Sequence, residues 1–413
     1  MITRREFQRS LLAAFLKPRR RFWFTARGTT GFLSTDSKAG ILDAGAAAAP
    51  QILDFRRPND FGWGLAACFK DGRRVILLSL EKGDWGNRSF YEYYHRIRTH
   101  VWIYDLDSGS LTEIATKQRI DNFYAPSCLL PGEDRMIVQV ITANGKGRLF
   151  SMDLDGSDPR QIVGFGEGFP YGANVSPSGK RLAFHLAGPS PHSYRVFTSD
   201  LEGGDRKLVA GQPGHLYFGY DWSPDGDWIL YQDCLYQNDP GHDWSDICVG
   251  RPDGSEHRTL TQGQAHWFGA SWGTAQNPGG GSNMPKWTPG GSIVFSRKLP
   301  GSKTPWEIQP QRPDTNHFNR DYRPEAARGG AELCLIHPPD RAVTRLTRPS
   351  PPQWEMYPDC SPDGKQILFC RAGVGEAPAI WIMDSGGGNQ RMLTRGVHDQ
   401  GAIHPRWLRE RSS

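Results

Sequence analysis

The chain has 413 residues, and its 48 glycines and 31 prolines exceed the roughly 12% that these two residue types contribute to an average soluble chain. Its 20 Phe, 14 Trp and 13 Tyr are large side chains of the kind that strands bury, which excludes a disordered chain. The net charge of +5 is spread along the sequence, so no nucleic-acid partner is expected. No apolar run reaches 18 residues, so no membrane span is expected either.

The first twenty residues have two interpretations. Residues 3–7 match the start of a twin-arginine export signal, and residues 10–16 supply a short apolar stretch. Basic residues follow at 17 and 19–21, where an export signal requires small uncharged residues. The sequence therefore favours a basic N-terminal arm over residues 1–20 and a cytoplasmic protein. A signal-like segment with a periplasmic or secreted location is the alternative.

A repeated motif dominates the rest of the chain. It consists of an apolar residue, Ser-Pro-Asp-Gly or a close variant, and then a short apolar run. Pro-Asp-Gly favours a tight turn, because Pro presets one backbone angle and Gly accepts the left-handed conformation. Each copy therefore predicts a hairpin. The copies begin at Cys68, Cys128, Val175, Trp222, Trp287, Cys360 and Trp407.

Each repeat also contains two further strand-like segments, so the sequence predicts four strands per repeat. Four-stranded repeats are typical of propeller blades. We therefore predict an all-β fold, a seven-bladed β-propeller, as one monomeric domain over residues 21–413. Only residues 408–413 follow the last motif, so N-terminal strands near residues 22–25, 30–33 and 51–55 must complete that blade. The ring would close by pairing them with the C-terminal inner strand.

Side-chain alternation predicts which residues line the central channel. Residues one, three and five positions before the apolar residue of each motif share one face of an inner strand. The predicted channel face is Arg406, His404 and Ala402; Asp359, Tyr357 and Glu355; Lys286, Met284 and Ser282; and Asp221, Gly219 and Tyr217. The rim beside it receives several histidines and a glutamine: His95, His192, His215, His242, His398 and Gln400.

Histidine serves both as a base near neutral pH and as a metal ligand. The run from His398 through Gln400 to His404 is the most ligand-like stretch, and His242 lies in a loop between acidic residues. A solvated polar rim without catalytic function is the alternative interpretation of these residues.

With these motifs the chain resembles Tol-system propellers and, among proteins of that shape, the oligogalacturonate lyases. That family is known for a manganese ion held by three histidines and a glutamine, and for a histidine base that cleaves uronate oligosaccharides by β-elimination. The resemblance implies a divalent metal such as Mn²⁺ at His398, Gln400 and His404. His398 would replace the family histidine expected at Ala402. Other propeller lyases, acting on ulvan-like polysaccharides, use a His, Tyr and Arg set that this chain also contains.

The predicted function is therefore β-elimination on an anionic oligosaccharide that contains uronate. A metal or Arg406 would neutralise the substrate carboxylate, and Lys286 and Tyr357 would contact the substrate. His242 is the predicted base, with His192 and His215 as alternates. Tyr217 or water would protonate the leaving oxygen. The alternative is a noncatalytic propeller that binds a protein or glycan at its rim.

Overall fold

A computed structural model provides the fold. It describes residues 20–28, 36–45, 50–83, 97–115, 117, 120, 128–141, 147–164, 168–188, 194–213, 215–235, 244–266, 274, 283–308, 320–351, 353–395 and 401–410. The architecture over these residues is all-β. Within them, no helix is long and apolar enough to cross a membrane.

The strands of the first half of the chain are at most nine residues long. In chain order they are β1 (Arg21–Ala26), β2 (Lys38–Asp43), β3 (Gln51–Ile52), β4 (Asp60–Cys68), β5 (Arg74–Glu81), β6 (Thr99–Asp105), β7 (Leu111–Glu113), β8 (Cys128–Leu129), β9 (Arg135–Ile141), β10 (Gly147–Asp153), β11 (Arg160–Val163), β12 (Phe169–Val175), β13 (Arg181–Ala187), β14 (Tyr194–Asp200) and β15 (Lys207–Ala210).

The second half also consists of short strands, and its described residues include a short 3-10 turn at Pro324–Ala326. Its strands are β16 (His215–Trp222), β17 (Ile229–Leu235), β18 (Trp244–Gly250), β19 (His257–Thr259), β20 (Ala265–His266), β21 (Lys286–Trp287), β22 (Ile293–Lys298), β23 (Trp306–Ile308), β24 (Arg320–Tyr322), β25 (Ala331–His337), β26 (Ala342–Arg345), β27 (Gln353–Cys360), β28 (Gln366–Gly373), β29 (Ala379–Asp384), β30 (Arg391–Met392) and β31 (Ala402–Trp407).

Antiparallel units of four strands repeat along the chain. Strands β4 to β7 form one sheet and β8 to β11 another, and β23 and β24 form a separate two-stranded sheet. Strands β12 to β22 and β25 to β30 are joined into one continuous sheet. Within that sheet, neighbouring units meet at single residue pairs, such as Tyr194 with Leu216 and Ala331 with Trp354.

The two ends of the chain share one sheet, in the order β3-β2-β1-β31. Phe22 pairs with Trp407, and Ala26 pairs with Ala402. This is the strand pairing that the truncated last motif predicts.

The core lies between the faces of neighbouring units. Ile76 and Leu78 of β5, for example, pack in one cluster with Met136 and Val138 of β9. These four side chains are at most 3% exposed. Burial of this apolar surface, at roughly 25 cal/mol per Å², is what holds one unit against the next.

The tryptophan that begins several motifs also links neighbouring units. Its indole N–H donates a hydrogen bond to the backbone carbonyl of the residue just before the preceding unit's motif. These bonds join Trp222 to Asn174 (3.1 Å), Trp287 to Asp221 (3.3 Å) and Trp407 to Asp359 (3.0 Å). Successive inner strands are thereby fixed at a common level.

A bulge interrupts several inner strands at the same place in the repeat. The register shifts between Phe218 and Asp221 in β16, and between Met356 and Asp359 in β27. The residue three positions before the motif's apolar residue has a left-handed backbone in four inner strands. These residues are Gly172 (φ 28°), Gly219 (φ 70°), Tyr357 (φ 56°) and His404 (φ 53°).

The bulge corrects one expectation from the sequence. Strict alternation put the residue five positions before the motif's apolar residue on the channel face. An extra residue in a strand reverses the side-chain alternation beyond it. Accordingly Tyr217, Glu355 and Ala402 are at most 2% exposed and lie in the interior of the sheets.

Candidate functional site

A cavity of about 280 Å³ lies where the inner strands of several units converge. Five of its side chains were expected on the channel face, from β21 with the segment before it, from β27 and from β31: Met284, Lys286, Tyr357, His404 and Arg406. Trp23 of β1 and Leu65 of β4 contribute part of its apolar wall. We call this space the central cavity. Its volume lies near the lower end of the roughly 300–1,000 Å³ usual for small-molecule pockets.

Tyr357 and His404 are the most distinctive pair in the central cavity. Their rings are in edge contact, with centroids 4.6 Å apart. Both residues have a left-handed backbone, at positions where β12 and β16 have glycine. Such a conformation costs a residue with a side chain on the order of 1–3 kcal/mol and is concentrated at functional sites. Tyr357 and His404 therefore have strained backbones at positions where glycine would be unstrained.

Hydrogen bonds from β22 and the segment before β21 hold the bulge at Tyr357. The Asn283 side-chain oxygen accepts the Tyr357 N–H at 2.8 Å, and the Asn283 amide group donates to the His266 carbonyl at 2.7 Å. The Ser296 hydroxyl donates to the Glu355 carbonyl at 2.6 Å. Because Asn283 is 2% exposed, water cannot readily replace it. The strained backbone of Tyr357 is thus fixed in place.

His404 is held in its neutral form. Burial, together with the nearby charges of Arg27 and Arg406, lowers its pKa from 6.5 to about 4. At pH 7 the imidazole can therefore accept a proton or bind a ligand through nitrogen. Arg27 is itself buried, which lowers its pKa, and it interacts electrostatically with Tyr357 and Tyr322.

Charges of alternating sign come from four inner strands at one position of the repeat, directly before the motif: Asp221, Lys286, Asp359 and Arg406. The Arg406 side chain lies 3.9 Å from Asp359, whose other oxygen accepts the Trp407 N–H at 2.7 Å. Burial raises the pKa of Asp221, although Lys286 and Arg406 act in the opposite direction. This level of the channel is polar and carries both signs, as the sequence predicted.

The predicted site residues separate into three sets. Lys286, Tyr357, His404 and Arg406 come together in the central cavity. His215 and Tyr217 are described but do not line it. The remaining four lie outside the described residues, so their roles stay predictions: His192, His242, His398 and Gln400.

His215 and Tyr217 occupy the beginning of β16. The His215 imidazole forms a hydrogen bond to Asp233 at 2.8 Å and stacks on Tyr217, with ring centroids 5.6 Å apart. A histidine oriented by a carboxylate is a common arrangement for a base. Tyr217 packs in an apolar cluster with Tyr231, and burial raises its pKa. This location separates Tyr217 from the central cavity.

A metal centre finds little support among the described residues. They contain no group of three or more His, Cys, Asp and Glu side chains placed to hold a metal ion. His404 is a possible nitrogen ligand, but the positive charges of Arg27 and Arg406 act on it. These charges oppose a cation and suit an anion.

Sequence alternation missed Arg27 and Asn283, which act on the cavity from outside the predicted channel face. Arg27 follows β1, and Asn283 precedes β21. One feature of the sequence does indicate the bulge. When the repeats are aligned on their motifs, Gly172 and Gly219 occupy the same position as Tyr357 and His404. A glycine inside a strand often indicates a bulge.

No protein-family model and no curated protein matches the chain. Solved structures share its fold at low sequence identity. A puromycin hydrolase has a TM-score of 0.58 at 14% identity, covering 91% of this chain and 52% of its own. This chain thus spans about half the length of that protein. An oligogalacturonate lyase in complex with manganese has a TM-score of 0.53 at 14% identity, covering 92% of this chain and 86% of the lyase.

A third similar structure is the β-propeller domain of the trilobed protease from Pyrococcus furiosus. Its TM-score is 0.52 at 11% identity, and the match covers 90% of this chain and 98% of that domain. At these identities the likeness concerns the fold alone. The chain has a β-propeller fold.

Proposed function

We propose that the protein is a lyase that cleaves a uronate-containing glycan by β-elimination in the central cavity. The observation that carries the proposal is a neutral His404 in contact with Tyr357, with Lys286 and Arg406 lining the same cavity. An acid–base pair beside cations is what elimination next to a carboxylate requires.

The first requirement is to neutralise the substrate carboxylate. The C5 proton of a uronate is weakly acidic, and its removal places negative charge on the adjacent carboxylate. Arg406 lines the cavity with an exposed side chain, and its guanidinium can bind a carboxylate through two N–H groups. Lys286 lies at the same level of the channel and adds a second positive charge.

The second requirement is a balanced proton transfer. His404 takes the C5 proton, the C–H electron pair forms the C4–C5 double bond, and the C4–O4 bond breaks. The Tyr357 hydroxyl gives its proton to the departing oxygen. The proton on His404 then returns to Tyr357, directly or through water, and the products are an unsaturated uronate and a shortened glycan.

Substrate binding also improves His404 as a base. Burial and two nearby arginines keep the pKa of the imidazole at about 4 in the free cavity. A bound carboxylate offsets the positive charge of Arg27 and Arg406 and attracts the imidazolium. Both effects raise the pKa of His404 toward the operating pH, where a general base is most effective.

No step of this mechanism runs through a metal ion. Arg27 and Arg406 place positive charge near His404, and the manganese ligands predicted at His398 and Gln400 lie outside the described residues. Arg406 takes the role that the metal would have. Assays with and without Mn²⁺ compare the two routes.

The proposal includes the architecture that forms the cavity. We infer seven blades of four strands in one domain from about residue 21 to the C-terminal region, with residues 1–20 as a separate arm. The regular motif spacing, the Trp-to-carbonyl links between successive inner strands and the β1–β31 pairing support this arrangement.

The test is incubation with oligogalacturonate, ulvan and rhamnogalacturonan fragments while recording the ultraviolet absorbance of unsaturated products. We expect product from at least one glycan, and its loss in Tyr357→Phe, which keeps the ring and removes the hydroxyl. Tyr104→Phe, in an apolar cluster of β6, is the matched control. Glycan binding without product would favour the noncatalytic propeller, and a fully active Tyr357→Phe would refute the proton donor.

A further inference from the structure

A second cavity, of about 680 Å³, lies beside the central one. The loop of residues 53–59, which connects β3 to β4, forms much of its lining, together with residues at the start of β2 and after β5. We call this space the rim cavity, because the loop that leads into the inner strand β4 and the residue that follows the second strand β5 meet there. None of the residues that line it takes part in the mechanism above.

Aromatic rings form the apolar wall of the rim cavity. Phe55 and Trp63 line it, and their ring centroids are 4.1 Å apart. Trp63 is 6% exposed and belongs to the same packed cluster as Trp102 and Trp23. The wall is therefore rigid and apolar, and the half-buried Phe55 ring, backed by Trp63, presents the surface on which the apolar face of a sugar ring can pack.

Four basic side chains line the same cavity: Lys38, Arg56, Arg57 and Lys82. The Arg57 guanidinium lies 4.4 Å from the centre of the Trp102 ring. Stacking occupies the face of a guanidinium and leaves the N–H groups at its edge available to an anion.

Two of the carboxylates in the rim cavity already accept hydrogen bonds from the protein. Asp54 accepts the Arg56 backbone N–H at 2.9 Å, and Asp60 accepts the Ser79 hydroxyl at 2.9 Å. Asp36 is the third carboxylate of the lining. Four basic groups against three acidic ones leave the cavity with an excess of positive charge, which attracts anionic ligands.

The loop that carries Arg56 and Arg57 is fixed before any ligand binds. The Leu53 N–H donates to the Ala39 carbonyl at 2.9 Å, and the Lys82 ammonium donates to the Pro58 carbonyl at 3.0 Å. Arg56 has a left-handed backbone, with φ of 53°. A preorganised loop loses little entropy when it binds a ligand.

The rim cavity and the central cavity are neighbours along the same strands. Trp63 of β4 lines the first and Gly64 the second. Thr25 of the central cavity is paired across β1 and β2 with Ala39 of the rim cavity. We infer that the rim cavity binds a second uronate unit of the same glycan, with its ring on Phe55 and Trp63 and its carboxylate on the arginines. This inference rests on the proposed function for the identity of the glycan.

The test measures binding of trigalacturonate and of galacturonate monomer by calorimetry. His404→Asn serves as the background, so that cleavage does not consume the probe. Arg56→Gly removes the side chain and relieves the left-handed backbone, so the loop should stay folded. Arg341→Gly is the matched control, because Arg341 is exposed and also left-handed, with φ of 55°, but lies in the turn after β25.

We expect Arg56→Gly to weaken trigalacturonate binding about tenfold, with monomer binding unchanged and no effect of Arg341→Gly. Charge reversal in Arg57→Glu should weaken it further. Unchanged trimer binding in both variants, an equal loss for monomer and trimer, or no binding of either probe would overturn the inference. If the trimer result holds but the wild type never forms unsaturated product, the rim site stands and the lyase proposal fails.

Discussion

Replacing His404 with Asn tests both the base and the strained backbone of the central cavity. Asn is the side chain that best tolerates the left-handed conformation after glycine, so the φ of 53° should be kept. The imidazole is lost, and with it the proposed acceptor of the C5 proton. We expect kcat to fall by roughly 10²–10⁴-fold, the usual contribution of a general base.

The same variant has a calculable effect on stability. The folded pKa of His404 is about 4 and its usual value is 6.5. Between these values the unfolded chain binds a proton that the folded chain does not, so the free energy of unfolding falls as the pH falls. Above pH 6.5 this loss is absent, and below about pH 4 it reaches about 3 kcal/mol. The His404→Asn variant should not show this loss in the free energy of unfolding, because it has no imidazole at position 404.

Urea unfolding followed by tryptophan fluorescence, at a series of pH values from 7.5 to 4.5, measures the difference between the two proteins. His185, whose pKa burial lowers to about 3, is present in both and cancels from the comparison. His337→Asn, at an exposed histidine, controls for general effects of removing an imidazole. Parallel pH profiles of wild type and His404→Asn would refute the buried neutral imidazole, and full activity of the variant would refute the base.

Three further variants test separate parts of the site. Arg406→Ala should raise KM and also lower kcat, so that kcat/KM falls about tenfold or more, because Arg406 binds the substrate carboxylate and stabilises the charge that develops on it. The neighbouring exposed Arg409→Ala should change neither constant, and equal effects of the two variants in steady-state kinetics would argue against carboxylate binding. Asn283→Ala should destabilise the fold by about 1–3 kcal/mol and lower kcat more than it changes KM. Asn283→Asp keeps the acceptor for the Tyr357 N–H and should recover part of kcat. A drop in stability with unchanged kcat would show that Asn283 has only a structural role. Trp287→Phe should lower the unfolding free energy by about 1 kcal/mol or more without changing kcat, since it removes the indole bond to Asp221, and unchanged thermal stability would contradict the role of that link.

Most of the fold could be predicted from the repeated motif. Pro-Asp-Gly turns and the apolar runs after them predicted the hairpins, and the truncated motif at Trp407 predicted the pairing of the last strand with N-terminal strands. Turn chemistry acts locally, so it can be read from a single sequence.

The alternation rule fails for residues that precede the bulge. Lys286 and Arg406, directly before their motifs, line the cavity. Tyr217 precedes the bulge, so the strict alternation rule put it on the wrong face. The contacts of Arg27 and Asn283 with the cavity come from tertiary packing, and no spacing pattern in the sequence encodes them.

Cleavage in water enriched in oxygen-18 separates elimination from hydrolysis in one measurement. Mass spectrometry of the glycan products reports both the label and the unsaturation. We expect products that carry a new double bond and take up no label beyond the slow exchange of the reducing-end hemiacetal oxygen, because no water is added across the broken bond. Labelled saturated products, or no cleavage of any uronate glycan with or without Mn²⁺, would contradict β-elimination in the central cavity.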